Sequence, residues 1–399
     1  MKKALIKAFT CLIPHKKTRR KAKLYLTYLL NKSVISFISR TEAPWVLVSY
    51  LFDWASEPRK QKLFQYHSNR WENKELVQSL LKLGYNVDVV FYQNPFFKPQ
   101  KNYYAVIDSG SHFHFWNLPS TCIKIQYLTS SDPFYQNQRE TERCEALNKR
   151  RNVHCHPKRL IKNPQALLDS LKAADAAVLV GNKHTLETYP KSLQPKIHLL
   201  DLTGSDITHT AKKEHFIPPS EDRGILWLGG AGVILKGLDR LLEVFVKHPE
   251  WHLHIAGKIY SEKDFIKAYY QEIHNTPNIH CYGLVAPDSD LFRQILSRCV
   301  AFVNASASEA TSTAAITALN AGLYPIISHD AGVDLPKGKG IYLENCSIDE
   351  IEATLKIFFQ KDMNEVENDI RFLQHYFTKR YSRENFSKNS FTLLQKLLN

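Results

Sequence analysis

The first forty positions of this 399-residue chain lack acidic residues, although eleven lysines and arginines occur there. Because these account for most of the formal net charge of +14, the rest of the chain carries a net charge of only +3. A strongly basic protein is often a nucleic-acid binder, but here the charge belongs to one short segment. We therefore expect no nucleic-acid partner.

Paired cysteine spacings are also missing. The seven cysteines are odd in number and scattered, and no signal peptide with a cleavage site is recognisable, so we expect reduced thiols in a cytoplasmic protein. Two clusters, His112 with His114 and the run His154-Cys155-His156, contain metal-binding side chains. Neither has a second ligand pair at zinc-site spacing. We interpret both as polar surface and predict no metal site.

Residues 1–44 contain no run of 18 apolar residues, which is the length that a membrane-spanning helix needs. We therefore expect that this segment does not cross a bilayer. Cations alternate with apolar residues over 1–13, and a basic cluster follows at 15–23. Such a basic amphipathic segment is typical of chains that lie on an anionic membrane surface. We therefore expect residues 1–40 to bind the inner face of the membrane as a peripheral segment. A flexible tail, a helix packed on the first domain, or RNA contact remain alternatives.

Strands that alternate with helices indicate an α/β protein with two doubly wound, Rossmann-like sheets. The predicted division of the chain is a basic segment at 1–44, a first domain at 45–205, a linker at 206–223, a second domain at 224–380 and a terminal helix at 381–399. Ligands of such sheets bind beyond the carboxyl ends of the strands. In the first domain, the polar stretch 136–159 is interpreted mainly as a solvated helix face, with contact to a phosphorylated acceptor or to the second domain as the alternative.

A glycine-rich turn follows the first strand of the second domain. Gly229, Gly230 and Gly232 let backbone approach a ligand closely, and Lys236 adds a positive charge where the next helix begins. This arrangement is typical of a phosphate site, although a single glycine-rich turn is a weak signal. It is not a Walker A motif, because the lysine precedes the neighbouring glycine.

The stretch FVNASASEATSTAAITALNAGLYPIIS, residues 302–328, predicts a strand, a loop, a helix and a second strand. The loop ends in Ser308 and the acid Glu309. The helix then begins near Thr311, Ser312 and Thr313, where hydroxyls, free backbone N–H groups and the helix dipole favour an anion. An ordinary α/β repeat with an alanine-rich helix is the alternative. We predict that a phosphate binds at this helix start.

The order of these pieces resembles the donor domain of the group 1 (family 4) retaining glycosyltransferases. The matching elements are the glycine turn with Lys236-Gly237, the segments HIAG and NIHCYG, and the block from Ser308-Glu309 to Pro325-Ile326-Ile327. The resemblance covers about 224–390 and is only architectural over 45–205. It implies the GT-B architecture, in which two Rossmann-like domains face each other across a cleft.

The resemblance also implies roles for individual residues. Lys236 would neutralise the donor diphosphate, and Glu309 would lie against the donor sugar as the first acid of an E-x7-E motif. The second acid, which commonly holds the nucleotide ribose, falls on Thr317. Gly230 stands where the family usually has arginine. The family's catalytic-region histidine has no match, because the loop after the fourth strand reads Ser130-Ser131-Asp132.

We therefore expect a retaining, metal-independent glycosyltransferase with no cofactor. Its donor would be a nucleotide diphosphate sugar, and its acceptor a glycan or lipid-linked molecule in surface polysaccharide or glycolipid synthesis. Two alternatives remain open: a catalytically inactive GT-B-like scaffold protein, favoured by Gly230 and Thr317, and a nucleotide-sugar epimerase of similar shape.

Overall fold

The computed structural model describes residues 2–15, 18–19, 22–23, 25–26, 34–51, 54, 68–205, 207 and 223–399. The linker predicted at 206–223 lies almost wholly outside these residues. Part of the basic cluster at 15–23 also lies outside them.

Seven strands form the first sheet, in the order β1-β3-β2-β4-β5-β6-β7. They are β1 (Ile35–Phe37), β2 (Trp45–Tyr50), β3 (Asn86–Phe91), β4 (Tyr103–Asp108), β5 (Ile123–Leu128), β6 (Ala176–Leu179) and β7 (Ile197–Leu199). All neighbouring pairs are parallel except β1 with β3. The Ser36 hydroxyl donates to Asp88 of β3 at 2.7 Å. The end of the basic segment is therefore an edge strand of the first domain, which the sequence did not reveal.

Six parallel strands form the second sheet, in the order β10-β9-β8-β11-β12-β13. They are β8 (Gly224–Gly229), β9 (Leu253–Gly257), β10 (Ile279–Gly283), β11 (Cys299–Asn304), β12 (Tyr324–Ser328) and β13 (Ile341–Leu343). Every residue of β11 and β12 is buried, as expected for parallel strands that are covered on both faces. The prediction of two α/β domains built on parallel sheets is confirmed.

Helices connect these strands. They are α1 (Lys2–Cys11), α2 (Ser68–Lys82), α3 (Pro133–Arg151), α4 (Pro164–Ala173), α5 (Lys183–Glu187), α6 (Leu238–Phe245), α7 (Lys263–Ala268), α8 (Tyr270–Asn275), α9 (Asp290–Ser297), α10 (Thr313–Asn320), α11 (Ile348–Phe359), α12 (Met363–Arg380) and α13 (Arg383–Leu398). Single turns of 3-10 helix occur at Gln194–Lys196, Ile259–Ser261 and His329–Ala331.

Helix α3 belongs to the first domain but packs on the second. Cys144 and Leu147 of α3, with Cys155 from the loop that follows, lie in the hydrophobic core of the second domain. Ion pairs add to this contact: Arg150 with Asp239 and Glu243, Arg151 with Glu272, and Lys158 with Asp264. The interpretation of 136–159 as a mainly solvated face is therefore wrong, and the alternative of contact with the second domain is the one observed.

The last helix, α13, returns to the first domain and packs on α2. The rings of Trp71 on α2 and Phe386 on α13 meet edge to face, with centroids 5.7 Å apart. Phe386, Leu394 and Leu398 are all buried. Just before α13, Arg380 pairs with Asp201 of the first domain and Asp334 of the second. The polypeptide thus crosses between the domains twice.

A buried histidine in the second sheet predicts how the fold responds to acid. His254 of β9 is 3% exposed, and its ring lies 4.7 Å from that of His280 on β10. Burial, with the neighbouring His280 and His252, lowers the pKa of His254 to about 3. The unfolded chain, with a histidine pKa of about 6.5, binds this proton earlier as the pH falls. His254 therefore lowers the free energy of unfolding progressively below about pH 6.5, by at most about 1.4 kcal/mol per pH unit.

The variant His254→Gln removes this titration. We expect its free energy of unfolding, relative to the wild type, to improve steadily as the pH falls from 7 to 4.5, measured by urea unfolding at several pH values. The exposed His154 serves as a control, since His154→Gln should keep the wild-type pH dependence. A constant difference between His254→Gln and the wild type across this range would contradict the prediction.

Candidate active site

A cavity of about 210 Å³ lies between the two domains. It is lined by Tyr50, Asn69, Glu72, Thr129, Arg159, Val180, Leu202, Gly230, Lys236, Glu309, Ala310, Thr311, Ser312, Thr313 and Ala314. Its walls are close to the carboxyl ends of β2, β5, β6, β8 and β11, the edge at which parallel α/β sheets bind ligands. Of the residues predicted from the sequence, Gly230, Lys236, Glu309 and Thr311 to Thr313 meet here. Gly229, Gly232, Ser308 and Thr317 are not among the lining residues.

The glycine turn after β8 is partly occupied by the protein's own carboxylate. The backbone N–H groups of Gly232 and Val233 donate to Oε1 of Glu262, at 2.6 and 3.3 Å. Glu262 is 3% exposed, and burial raises the pKa of its carboxyl despite these two bonds. These two amides are therefore already engaged. At Gly230, by contrast, an added Cβ atom would meet no atom within 4 Å.

Lys236 is held at the floor of the cavity. It is 7% exposed, and its ammonium forms an ion pair with the carboxylate of Glu309. The following residue, Gly237, has a φ of 72° and lies against Ala305, so that a side chain there would clash with the backbone of the 305–309 loop. This close approach brings Lys236 to Glu309. Burial, together with the nearby Arg159, lowers the pKa of Lys236 well below its usual range, and Glu262 opposes this only in part.

Arg159 adds a second cation, from the first domain. Its Nη1 lies 4.0 Å from Oε2 of Glu309, and its side chain lies against Gly232. Glu140, which is 1% exposed, accepts the backbone N–H of Arg159 at 2.9 Å. Sequence reasoning missed Arg159, because no local motif marks it. The only signal was its place in a basic stretch close to a predicted domain contact.

The start of α10 forms the opposite wall. The Ser312 hydroxyl caps this helix by accepting the N–H of Ala315 at 3.3 Å, and Thr313 and Ala314 line the cavity. The Thr311 hydroxyl donates to the carbonyl of Val180 at 3.2 Å, which joins the helix start to the first domain. The positive end of the α10 dipole is thus directed at the cavity.

Thr317, at the position of the expected second acid, faces away from the cavity. It is 1% exposed, donates to the carbonyl of Thr313 at 2.7 Å and accepts the N–H of Ser205 at 2.9 Å. Its hydroxyl therefore stabilises contact between α10 and the segment that leaves the first domain.

The loop that replaces the expected histidine holds the domains together. The hydroxyls of Ser131 and Ser308 lie 2.5 Å apart across the domain boundary. Asp132 caps α3 by accepting the N–H groups of Phe134 and Tyr135, at 2.9 and 3.0 Å. Of this part of the chain, Thr129 is the residue that lines the cavity.

Glu72 is a second acid at the cavity that sequence reasoning did not assign to the site. It lies on α2, is 3% exposed, and accepts the N–H of Thr203 at 2.8 Å. Burial raises its pKa to about 7. The first-domain wall of the cavity therefore contains a carboxyl group that changes charge near neutral pH.

Within the part of the chain that the structure describes, no group of three or more histidine, cysteine, aspartate or glutamate side chains is placed to hold a metal ion. None of the helices in this part of the chain is long and apolar enough to cross a membrane.

Comparisons with known proteins agree with this geometry. Residues 211–369 match the family model described as glycosyl transferases group 1. The fold is similar to that of sucrose-phosphate synthase from Thermosynechococcus elongatus, with a TM-score of 0.58 at 10% identity over 89% of this chain and 99% of that one. HepE from Anabaena, solved with UDP and glucose, gives 0.55 at 11% identity over 89% and 100%. No curated protein was found to be similar in sequence.

TarM gives a TM-score of 0.51 at 14% identity, over 74% of this chain and 54% of TarM. The chain thus spans about half the length of TarM. Together these likenesses show that the protein has the GT-B fold. The match of residues 211–369 to the group 1 glycosyl transferase model agrees with the resemblance seen in the sequence.

The raised pKa of Glu72 predicts a cost in stability at neutral and alkaline pH. In the unfolded chain this carboxyl ionises near pH 4.5, whereas in the folded protein it ionises near pH 7. The folded state therefore holds the extra proton between these values, and stability is lost as the pH rises through this interval, by at most about 1.4 kcal/mol per pH unit. We expect Glu72→Gln to become more stable than the wild type as the pH rises from 5 to 8.

Urea unfolding across this range measures the difference. Glu75, on the same helix and paired with Lys82, provides a control: Glu75→Gln should follow the wild-type pH dependence. If Glu72→Gln shows no gain relative to the wild type at pH 8, the carboxyl is not held in the way described.

Proposed function

We propose that the protein is a retaining, metal-independent glycosyltransferase. It moves a sugar from a nucleotide diphosphate sugar to a glycan or lipid-linked acceptor in surface polysaccharide or glycolipid synthesis. The observation that carries the proposal is that Lys236, Glu309 and the start of α10 converge on one cavity between the domains. HepE, of the same fold, is solved with UDP-glucose, so UDP-sugars are the first donors to test.

The proposed reaction needs help at one step above all, the departure of the nucleotide diphosphate. Negative charge then grows on the leaving phosphate, and the Lys236 ammonium together with the positive end of α10 stabilises it. Glu309 forms an ion pair with Lys236. When the diphosphate replaces Glu309 as the partner of Lys236, the Glu309 carboxylate faces the sugar. The cavity is shielded by both domains, which strengthens these interactions relative to water.

Loss of Lys236 should reduce turnover strongly. Removing one donor to developing charge typically costs about 3–4 kcal/mol, so we expect Lys236→Ala to lower kcat on the order of a hundredfold or more. Release of UDP from UDP-glucose and other UDP-sugars is the measurement. Lys258→Ala, which removes an exposed lysine of the same domain, should keep the wild-type rate. A near wild-type rate for Lys236→Ala would overturn its role.

The inactive-scaffold alternative has one structural argument in its favour, since the Thr317 hydroxyl is engaged with Ser205 and Thr313. A thermal-shift panel of UDP, GDP, ADP and their sugars separates the possibilities. A shift with one nucleotide and turnover of its sugar supports the transferase. A shift without turnover in the presence of acceptors supports the scaffold, and conversion of donor without acceptor supports the epimerase.

We also propose that the amino-terminal segment binds the anionic inner face of the membrane. Ile6 and Thr10 of α1 are buried, while Phe9 of α1 and Leu12, directly after its end, are 61% and 81% exposed. The basic cluster follows directly after α1. An exposed apolar face next to clustered cations is the arrangement that binds anionic lipid surfaces.

Neutralising part of this cluster should weaken the binding. Each well-placed cation contributes about 1 kcal/mol, so replacing Lys16, Lys17, Arg19 and Arg20 by Gln should reduce sedimentation with phosphatidylglycerol vesicles at least tenfold. This change leaves β1 intact, unlike deletion of residues 1–40. The control replaces four exposed lysines elsewhere, Lys183, Lys191, Lys258 and Lys388. Equal loss in both variants would show a general charge effect instead.

A further inference from the structure

Arg159 reaches the cavity from the first domain and is held there firmly. Its backbone N–H bonds Glu140, and its carbonyl accepts from the Gln136 side chain at 2.7 Å. Next to it, Lys158 is tied to Asp264 of the second domain. The position of the Arg159 backbone is therefore fixed both to α3 and to the domain opposite.

The guanidinium of Arg159 is available to a ligand. The side chain is 39% exposed, although it lines the cavity and lies against Gly232. Arg159 and Lys236 approach the two oxygens of the same carboxylate, that of Glu309. Among the cavity-lining residues that the structure describes, these are the two cations, and Glu309 is the anion between them.

The glycine turn after β8 offers few donors of its own to a phosphate. The backbone N–H groups of Gly232 and Val233 already donate to Glu262. Gly230 has no side chain that could bind a ligand. An anion that enters beside the turn is therefore met by Lys236 from below and by Arg159 from across the cleft. A diphosphate has more negative charge than one carboxylate and can accept hydrogen bonds from both cations at once.

We infer that Arg159 binds the diphosphate of the donor from the first domain, and that the diphosphate takes over both cations from Glu309. This inference rests on the proposed function and adds a ligand to the same site. The exchange frees the Glu309 carboxylate only when a diphosphate is present. A nucleoside monophosphate has one phosphate fewer, and therefore less negative charge and fewer oxygen acceptors for this pair of cations.

The test compares binding of UDP and UMP by isothermal titration calorimetry, with GDP and ADP as further probes if UDP does not bind. A hydrogen bond to a charged group is worth enough to change affinity roughly 10- to 100-fold. We expect Arg159→Ala to weaken diphosphate binding by that factor and monophosphate binding much less, so that the preference for the diphosphate falls. Arg159→Lys, which keeps the charge but loses the fork of donors, should fall between.

Two further variants separate ligand contact from domain contact. Lys158→Ala removes the neighbouring cation and its bond across the interface, and should keep the wild-type preference for diphosphate. Gly230 is not in the left-handed region and has open space around it, so Gly230→Arg can place a guanidinium at the same phosphate. In the Arg159→Ala background, we expect Gly230→Arg to restore at least half of the lost preference, on a logarithmic scale.

The outcomes are distinguishable. If the wild type binds a diphosphate and Arg159→Ala keeps the same ratio of diphosphate to monophosphate affinity, the inference is overturned and the proposed function stands. An equal change of this ratio in Lys158→Ala would also overturn it, since the effect would then come from the domain interface. If the wild type binds none of these nucleotides, the proposed function falls and the inference with it.

Discussion

The site depends on the docking of α3 onto the second domain. Arg150 of α3 pairs with Asp239, which is 1% exposed, and a buried charge without its partner would cost several kcal/mol. The charged contact therefore specifies one arrangement of the two domains, while the packed Cys144 and Leu147 supply apolar burial. The cavity, its two cations and the opposing helix start all follow from this arrangement.

In the cavity between the domains, Lys236 and Glu309 form an ion pair whose two side chains are largely buried. Each charge would be costly there alone, so the pair is stable until a ligand of higher charge competes for the lysine. Burial raises the pKa of Glu72, and its bonds from Thr203 and the charge of Arg383 oppose this only in part. The two carboxyls of one cavity therefore differ in their surroundings: Glu309 is paired with a lysine, whereas Glu72 accepts hydrogen bonds from Thr203.

Much of the fold was predictable, because strands such as β8 and β11 are short apolar runs that end in turn residues. Lys236 and Glu309 were also predictable, since each stands in a local pattern. Arg159 and Glu72 were not, because their place in the cavity is set by contacts with residues far along the chain, Gly232 and Thr203. The engagement of Thr317 with Ser205 was likewise hidden, since it depends on how the domains meet.

The return of α13 to the first domain has a consequence for how the protein is made. Leu76 and Leu80 on α2 share a hydrophobic core with Leu394 and Leu398 of α13. During synthesis, residues 206–382 are made between the first domain and the helix that covers this apolar face. Helix α13 therefore cannot cover this face until the second domain has been translated. Its packing on α2 then joins residues from distant parts of the chain in one hydrophobic core.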